Sequence, residues 1–200
     1  MTGLITGAWA AQAVSVAATL GVADQLARGP HRAEEITEAV DADPDALYRL
    51  LRALSGLGLV EESGDRRFTL TELGEPLRTD APASLRGLAI MVGAPWHRRI
   101  WTELLESVRT GDAAFVRLFG GGEYFDAHPE DGEVLNNALA AVLSGRPKAR
   151  GVLFDLPSVI EGAGAPLREA EVADRSELVG GDFFEAVPRA VTPTCTALPR

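Results

Sequence analysis

Two acidic residues stand where a folded chain could put them to chemical use. Asp155 closes the apolar run Gly151-Val152-Leu153-Phe154, and Asp182 follows Ser176-Glu177-Leu178-Val179 after the pair Gly180-Gly181. A short apolar run of this kind has the look of a buried strand in a parallel sheet. A carboxylate at the carboxyl end of such a strand can accept hydrogen bonds from two hydroxyls of one ligand. The plainer alternative is that both acids cap loops. Proton transfer would need a base, and the chain offers His31, His97 and His128. His97 sits between Trp96 and Arg98, a setting that suits packing or surface more than catalysis, and Trp101 reads as core. Cys195 is the only cysteine, which excludes a disulfide framework and any multi-cysteine metal centre. No metal site and no catalytic residue can be assigned.

The elements that would position these residues follow from periodicity. Residues 4–28 read as one helix of small residues, with Leu4, Ile5, Trp9, Val14, Val16, Leu20, Val22 and Leu26 as its bulky positions; Gly29-Pro30 stops it. A helix apolar most of the way round wants burial on more than one side, which points to a subunit interface and a homodimer. Residues 33–40 form a short helix carrying Ile36 and Val40. Residues 44–57 form a second, with Asp43 as N-cap, Pro44 at the first position and a stripe of Leu47, Leu50, Leu51, Leu54 and Leu57. Residues 59–62 and 67–71 then read as a hairpin turning at Ser63-Gly64-Asp65. Helix, helix, hairpin is the winged-helix pattern. Residues 82–145 look helical throughout, with one helix opening at Pro95 and another over 133–143. Beyond them, strand, helix over 157–170 and strand make one βαβ unit. Residues 191–200 show no periodicity.

Composition narrows the function classes. The chain has 200 residues, 46% hydrophobic and 24% charged, with a net charge of −10. That fits one or two globular units and excludes a disordered or fibrous chain. Eighteen of the nineteen basic residues are Arg, the other being Lys148. Between His31 and Asp80 twelve acidic residues face six Arg, so phosphate neutralisation, the main source of DNA affinity, is missing, and no nucleic-acid partner is expected. Leu4 to Ala23 carries no charge, yet it is mostly Ala, Gly, Thr and Ser, a poor payload for a lipid-facing helix. No Lys or Arg precedes Arg28, as a signal peptide would require. The expectation is a cytoplasmic protein with no membrane partner.

Several motifs in order give the chain a family likeness. Arg150-Gly-Val-Leu-Phe-Asp-Leu-Pro-Ser-Val159, Val172-Ala-Asp-Arg175 and Val179-Gly-Gly-Asp-Phe-Phe-Glu-Ala-Val-Pro188 are the most specific. Arg109-Thr-Gly111 and Leu70-Thr-Glu-Leu-Gly74 agree with them. From about residue 4 to residue 190 the chain resembles the bacterial small-molecule O-methyltransferases that modify polyketide and other aromatic natural products in secondary metabolism. The resemblance implies a mainly α, winged-helix dimerisation domain over 1–145 that forms a homodimer. It implies an incomplete α/β remnant of a Rossmann-like methyltransferase domain over 146–190, followed by an irregular tail over 191–200. It implies S-adenosylmethionine as cofactor, with Asp155 on the ribose hydroxyls and Asp182 and Phe183 beside the adenine. Trp101 would belong to the wall that receives a small aromatic substrate.

The departures from the family pattern carry equal weight. The family places a strand and a glycine-rich loop about twenty residues before the position of Asp155, where side chains would block the cofactor's methionine end. Here residues 128–150 hold a helix and then Ser144-Gly-Arg-Pro-Lys148, without a glycine cluster. Gly120-Gly121-Gly122 comes too early and follows no strand. Leu139 falls where the family often has a Met near the cofactor's sulfur, and Ser144 is one residue out of step with a family Ser. The family's His-Asp-Trp segment, which carries the general base, has no counterpart; one choice of codons for Ala190 to Thr194 would give a family-like continuation in a shifted frame, which reading the gene decides. The expectations are a catalytically incomplete family member or, alternatively, a non-catalytic dimerising or interaction protein or a repurposed enzyme of secondary metabolism, with residues 146–200 poorly packed or held only by the N-terminal half or a partner.

Overall fold

The computed structural model describes residues 1–81, 84–120, 124, 127–128, 139–140, 142–155 and 157–181. The chain divides into two compact units, residues 1–121 and 122–200.

The first unit is helical apart from one hairpin. α1 (Thr2–Leu20) and α2 (Val22–Leu26) are separate helices, not one. Gly21, at φ 69° and ψ 30°, adopts the left-handed conformation that glycine takes without cost and turns the chain between them. α3 (Ala33–Val40) follows, and α4 (Pro44–Gly56) starts as its sequence requires: the Asp43 carboxylate accepts from the Ala46 N–H at 2.8 Å, with Pro44 at the first helical position. Leu47, Leu51 and Leu54 of α4 are buried. They form one core with Val22, Leu26, Ile36, Val40, Val60 and Phe68.

The hairpin pairs β1 (Val60–Ser63) with β2 (Arg67–Leu70), Val60 opposite Leu70 and Ser63 opposite Arg67. A 3₁₀ turn over Gly64–Arg66 joins them. Phe68 is the pin of this layer. It is fully buried, its ring meets Tyr48 edge-on at 5.8 Å, and its backbone pairs in both directions with His31. Ion pairs hold the hairpin from outside. Arg32 meets Asp65, Arg67 grips both oxygens of Glu35 at 2.8 and 2.9 Å, and Arg52 reaches Glu62 at 3.0 Å. The Arg32 backbone N–H and the Arg67 guanidinium hold the Glu35 carboxyl below its ordinary range; Arg32 does the same for Asp65.

Four further helices complete the unit: α5 (Arg86–Gly93), α6 (Pro95–Thr102), α7 (Leu104–Thr110) and α8 (Ala114–Phe119). The helix expected from Pro95 onward breaks at Glu103. Trp101, Leu104, Leu105 and Val108 are all exposed, Trp101 by 62%, so Trp101 is not the core residue expected. α5 instead packs against α1. The contact is close enough that a Cβ on Gly93 would overlap the Ser15 side chain. Ser15 Oγ donates to the Ile90 carbonyl at 3.3 Å, and Arg86 Nε donates to the Ala18 carbonyl at 2.9 Å.

In the second unit, β3 (Gly151–Asp155) runs parallel to β4 (Ser176–Gly180), in register from Gly151 opposite Ser176 to Asp155 opposite Gly180. Parallel strands need a long crossover, and α9 (Pro157–Glu169) supplies it. Ala140, Leu143, Leu167 and Val172 form a small buried core, with Leu139, Ala149 and Ala170 against it. The described part of 146–200 thus packs on residues ahead of it, Leu167 and Val172 sharing their core with Ala140 and Leu143. Because Ala140 and Leu143 pack with α9, the structural division falls earlier than a boundary at 145. Val142 is exposed by 44%. Most of the helix expected over 133–143, and the tail over 191–200, lie outside the described residues.

Candidate functional site

Two places in the structure can do more than support the fold. The first is the outer face of α1. Leu4, Ile5 and Trp9 are exposed by 84%, 72% and 74%, far more apolar surface than one isolated helix face of a monomer ordinarily shows to water. Beside it runs a groove of about 420 Å³, where Trp9, Val16 and Leu20 of α1 face Ala46, Leu47 and Leu50 of α4. A second groove of about 430 Å³ lies on the other flank, between α1 and Ile90, Gly93 and Pro95. Val16 and Leu20 line both grooves, so they form a ridge between two troughs. By length and composition α1 could also cross a membrane, and only 17% of that stretch is buried.

The second place is the carboxyl end of the β3–β4 pair. The sheet register sets Asp155 opposite Gly180, so an acid ends one strand beside the glycine exit of its neighbour. In open parallel sheets, ligands bind in the crevice outside the carboxyl ends of the strands. Gly181 passes so close to Phe154 that a Cβ there would fall on the ring, and a Cβ on Gly180 would touch Pro157 at 3.4 Å. The two glycines let the chain leave β4 tightly against the start of α9. Asp182 and Phe183, the other two residues assigned here, lie outside the described residues. An acid at one strand end beside a tight glycine exit fits the nucleoside half of S-adenosylmethionine. Among the described residues no glycine-rich turn stands ahead of β3 to fit the methionine half: the chain enters β3 from a helical turn at 142–144 and the turn after it.

The remaining candidates sort as follows. Ser144 Oγ donates back to the Ala140 carbonyl at 2.9 Å, and Leu139 lies against Gly151. Both serve the packing beneath β3. His97 sits between two tryptophan rings, at centroid distances of 5.5 Å to Trp96 and 6.2 Å to Trp101. Its Nδ1 lies 3.2 Å from the Val92 carbonyl, and its Nε2 accepts from Trp101 Nε1 at 3.4 Å. Both ring nitrogens are thus engaged within α5 and α6. His31 is tied to Phe68 and lies 3.6 Å from Glu35. The His128 ring stacks on Tyr124 at 4.3 Å. Sequence reasoning placed Arg175 in a family motif but did not find its structural role. Its guanidinium reaches three backbone carbonyls, and an Arg ahead of a strand carries no signal that would announce this.

Comparison with known proteins agrees with this division into units. Residues 2–80 match the O-methyltransferase dimerisation domain and residues 135–192 the O-methyltransferase domain. A phenazine O-methyltransferase of Lysobacter antibioticus is 36% identical over 92% of this chain and 64% of its own length. A mitomycin biosynthesis 6-O-methyltransferase of Streptomyces lavendulae is 33% identical, with the same coverage. Among solved structures, that of LaPhzM matches with a TM-score of 0.70 at 35% identity, over 94% of this chain and 67% of that one. The mitomycin 7-O-methyltransferase MmcR matches with 0.65 at 34% identity, over 94% and 66%. The chain belongs to the family of bacterial natural-product O-methyltransferases. It spans 64% of the length of these curated relatives. The first alignment runs over 221 positions yet takes in 92% of a 200-residue chain, so that relative also carries internal residues with no counterpart here.

Proposed function

We propose that the chain is a homodimeric, catalytically incomplete member of its family that retains the nucleoside end of the S-adenosylmethionine site. The single observation that carries this reading is the in-register parallel pair that sets Asp155 beside Gly180 at the carboxyl end of the sheet. Asp155 would take the ribose hydroxyls, and Asp182 with Phe183 the adenine. The neocarzinostatin O-methyltransferase, at 28% identity and TM-score 0.58, was crystallised with S-adenosylmethionine and 2-hydroxy-5-methyl naphthoic acid. That supports the cofactor class, and a small aromatic molecule as the ancestral acceptor. When bound, the cofactor supplies an electrophilic methyl group; the described part of this chain supplies no glycine-rich loop for its methionine end. Trp101, exposed on α6, remains the residue for an aromatic ligand to meet.

The helical unit is the dimerisation element. α3, α4 and the hairpin form a winged helix used as scaffold, and its excess of acid argues against a nucleic-acid partner. The apolar face of α1 is read as subunit surface and not as a membrane span, in keeping with a cytoplasmic protein. Calorimetric titration with S-adenosylhomocysteine and with adenosine tests the reading. Equal, weak affinities are expected, because only the nucleoside is gripped. Affinity for S-adenosylhomocysteine a hundredfold above that for adenosine, or transfer of a methyl group to an aromatic hydroxyl, would overturn it.

A further inference from the structure

The second unit is small, and one side chain holds its parts in place. Arg175 lies one residue ahead of β4. Its Nη1 donates to the carbonyls of Arg146 at 3.1 Å and Ala149 at 3.0 Å, and its Nη2 donates to the carbonyl of Leu143 at 3.1 Å. These three carbonyls span the end of the helical turn at 142–144 and the turn that leads into β3. The Leu143 and Arg146 carbonyls also accept backbone N–H groups, from Arg146 at 3.1 Å and from Ala149 at 2.9 Å, and a cation at a helix end meets the negative end of the helix dipole. A planar guanidinium can serve several acceptors that point in different directions, whereas an ammonium is a single point. The same segment is pressed from the other side. A Cβ on Gly151 would meet Leu139 at 2.9 Å and Leu143 at 3.1 Å. Gly151 pairs with Ser176, the residue after Arg175, so the clamp sits where both strands begin.

We propose that Arg175 is a positioning residue: by clamping the 143–149 turn to the start of β4 it sets where β3 begins, and so holds Asp155 opposite Gly180. This replaces a support that a sheet with more strands would draw from neighbours on either edge. A parallel pair fixed at its first residues keeps its register to the last ones, because a slip of one residue would move every side chain to the other face. The part of the proposal that concerns ligand binding rests on the nucleoside reading above.

Two measurements on the full chain test it, with the variants R175K and R175Q and, as control, R168K on the exposed side of α9. The first is amide hydrogen exchange. Loss of the clamp is expected to speed exchange about tenfold over 151–155 and 176–180 in both variants, while α9 and the control change little. Unchanged exchange in R175K, or equal acceleration throughout the second unit, overturns the proposal. The second is the preference for adenosine over 2′-deoxyadenosine in calorimetry, which reads the ribose contact and not overall stability. The preference is expected to vanish in R175K. Its persistence there, beside weakened binding of both nucleosides, shows a merely structural role and overturns the proposal. Absence of any preference in the unaltered protein fails the nucleoside reading alone, and the exchange measurement then decides the clamp by itself.

Discussion

Replacing Phe68 with alanine should unfold the first unit far more readily than any surface change, and the size of the loss can be worked from its surroundings. The ring is fully buried, pins α4 through Tyr48 at 5.8 Å, and belongs to the same core as Leu26, Leu51 and Val60. Truncating a buried Phe to Ala costs about 3–5 kcal/mol, part of it for the cavity left behind. Replacement by leucine keeps most of the volume and forfeits chiefly the edge-on aromatic contact, about 0.5–1.5 kcal/mol. The backbone pairing with His31 survives both changes. Guanidinium unfolding followed by tryptophan fluorescence is the assay, at fixed protein concentration because association shifts apparent stability. Trp9, Trp96 and Trp101 are the only tryptophans and all fall within residues 1–121, so the signal reports this unit alone. Equal losses for the two variants, or a loss below about 2 kcal/mol for F68A, would refute the pinning argument, since the alanine figure follows from cavity formation and the leucine figure from the aromatic contact alone.

Two other outcomes are expected. The double variant I5R/W9R should be monomeric by light scattering with unchanged helix content, whereas the unaltered chain is expected to run as a dimer at about twice its 21.2 kDa; charges on that face cannot be buried unpaired. A dimer that survives both arginines would move the interface off α1. Lowering the pH should loosen the hairpin. Glu35 and Asp65 are held below their ordinary values, so their contribution is present above the usual carboxylate range near pH 4 and is lost as pH falls through the lowered folded values. The acid limb of the fluorescence-detected melting curve should flatten in E35Q and D65N and shrink in high salt; an acid limb identical in all three proteins would show that other groups drive it.

The sequence was most readable where local chemistry and core burial point the same way. Asp43, Pro44 and the leucine stripe mark α4 because capping, the proline position and the 3.6-residue period all name one helix. The hairpin ends and the parallel strand over 151–155 were legible for the same reason. Legibility failed where the deciding contact is distant. Gly21 resembles the other small residues of the first helix, and its left-handed turn shows only once α2 packs beneath the hairpin. The break at Glu103 has no proline or glycine to announce it. Trp101 and Leu104 follow helical spacing, yet periodicity says which residues share a face and not what covers that face. In the candidate site, Asp155 could be named because an acid after an apolar run is a local pattern. Arg175 could not, because its three acceptors are backbone atoms some thirty residues earlier in the chain.

The parallel pairing of β3 and β4 has a consequence for how such a chain can shorten. Two parallel neighbours cannot be joined by a tight turn, so a strand comes and goes together with the crossover that carries it. Removing an arbitrary stretch would leave a helix pointing at the wrong end of the sheet. Removing a whole strand–crossover repeat brings the next strand in from the same side and travelling the same way. Length in this architecture changes in steps of one repeat, much as a staircase loses a full flight and still connects two floors.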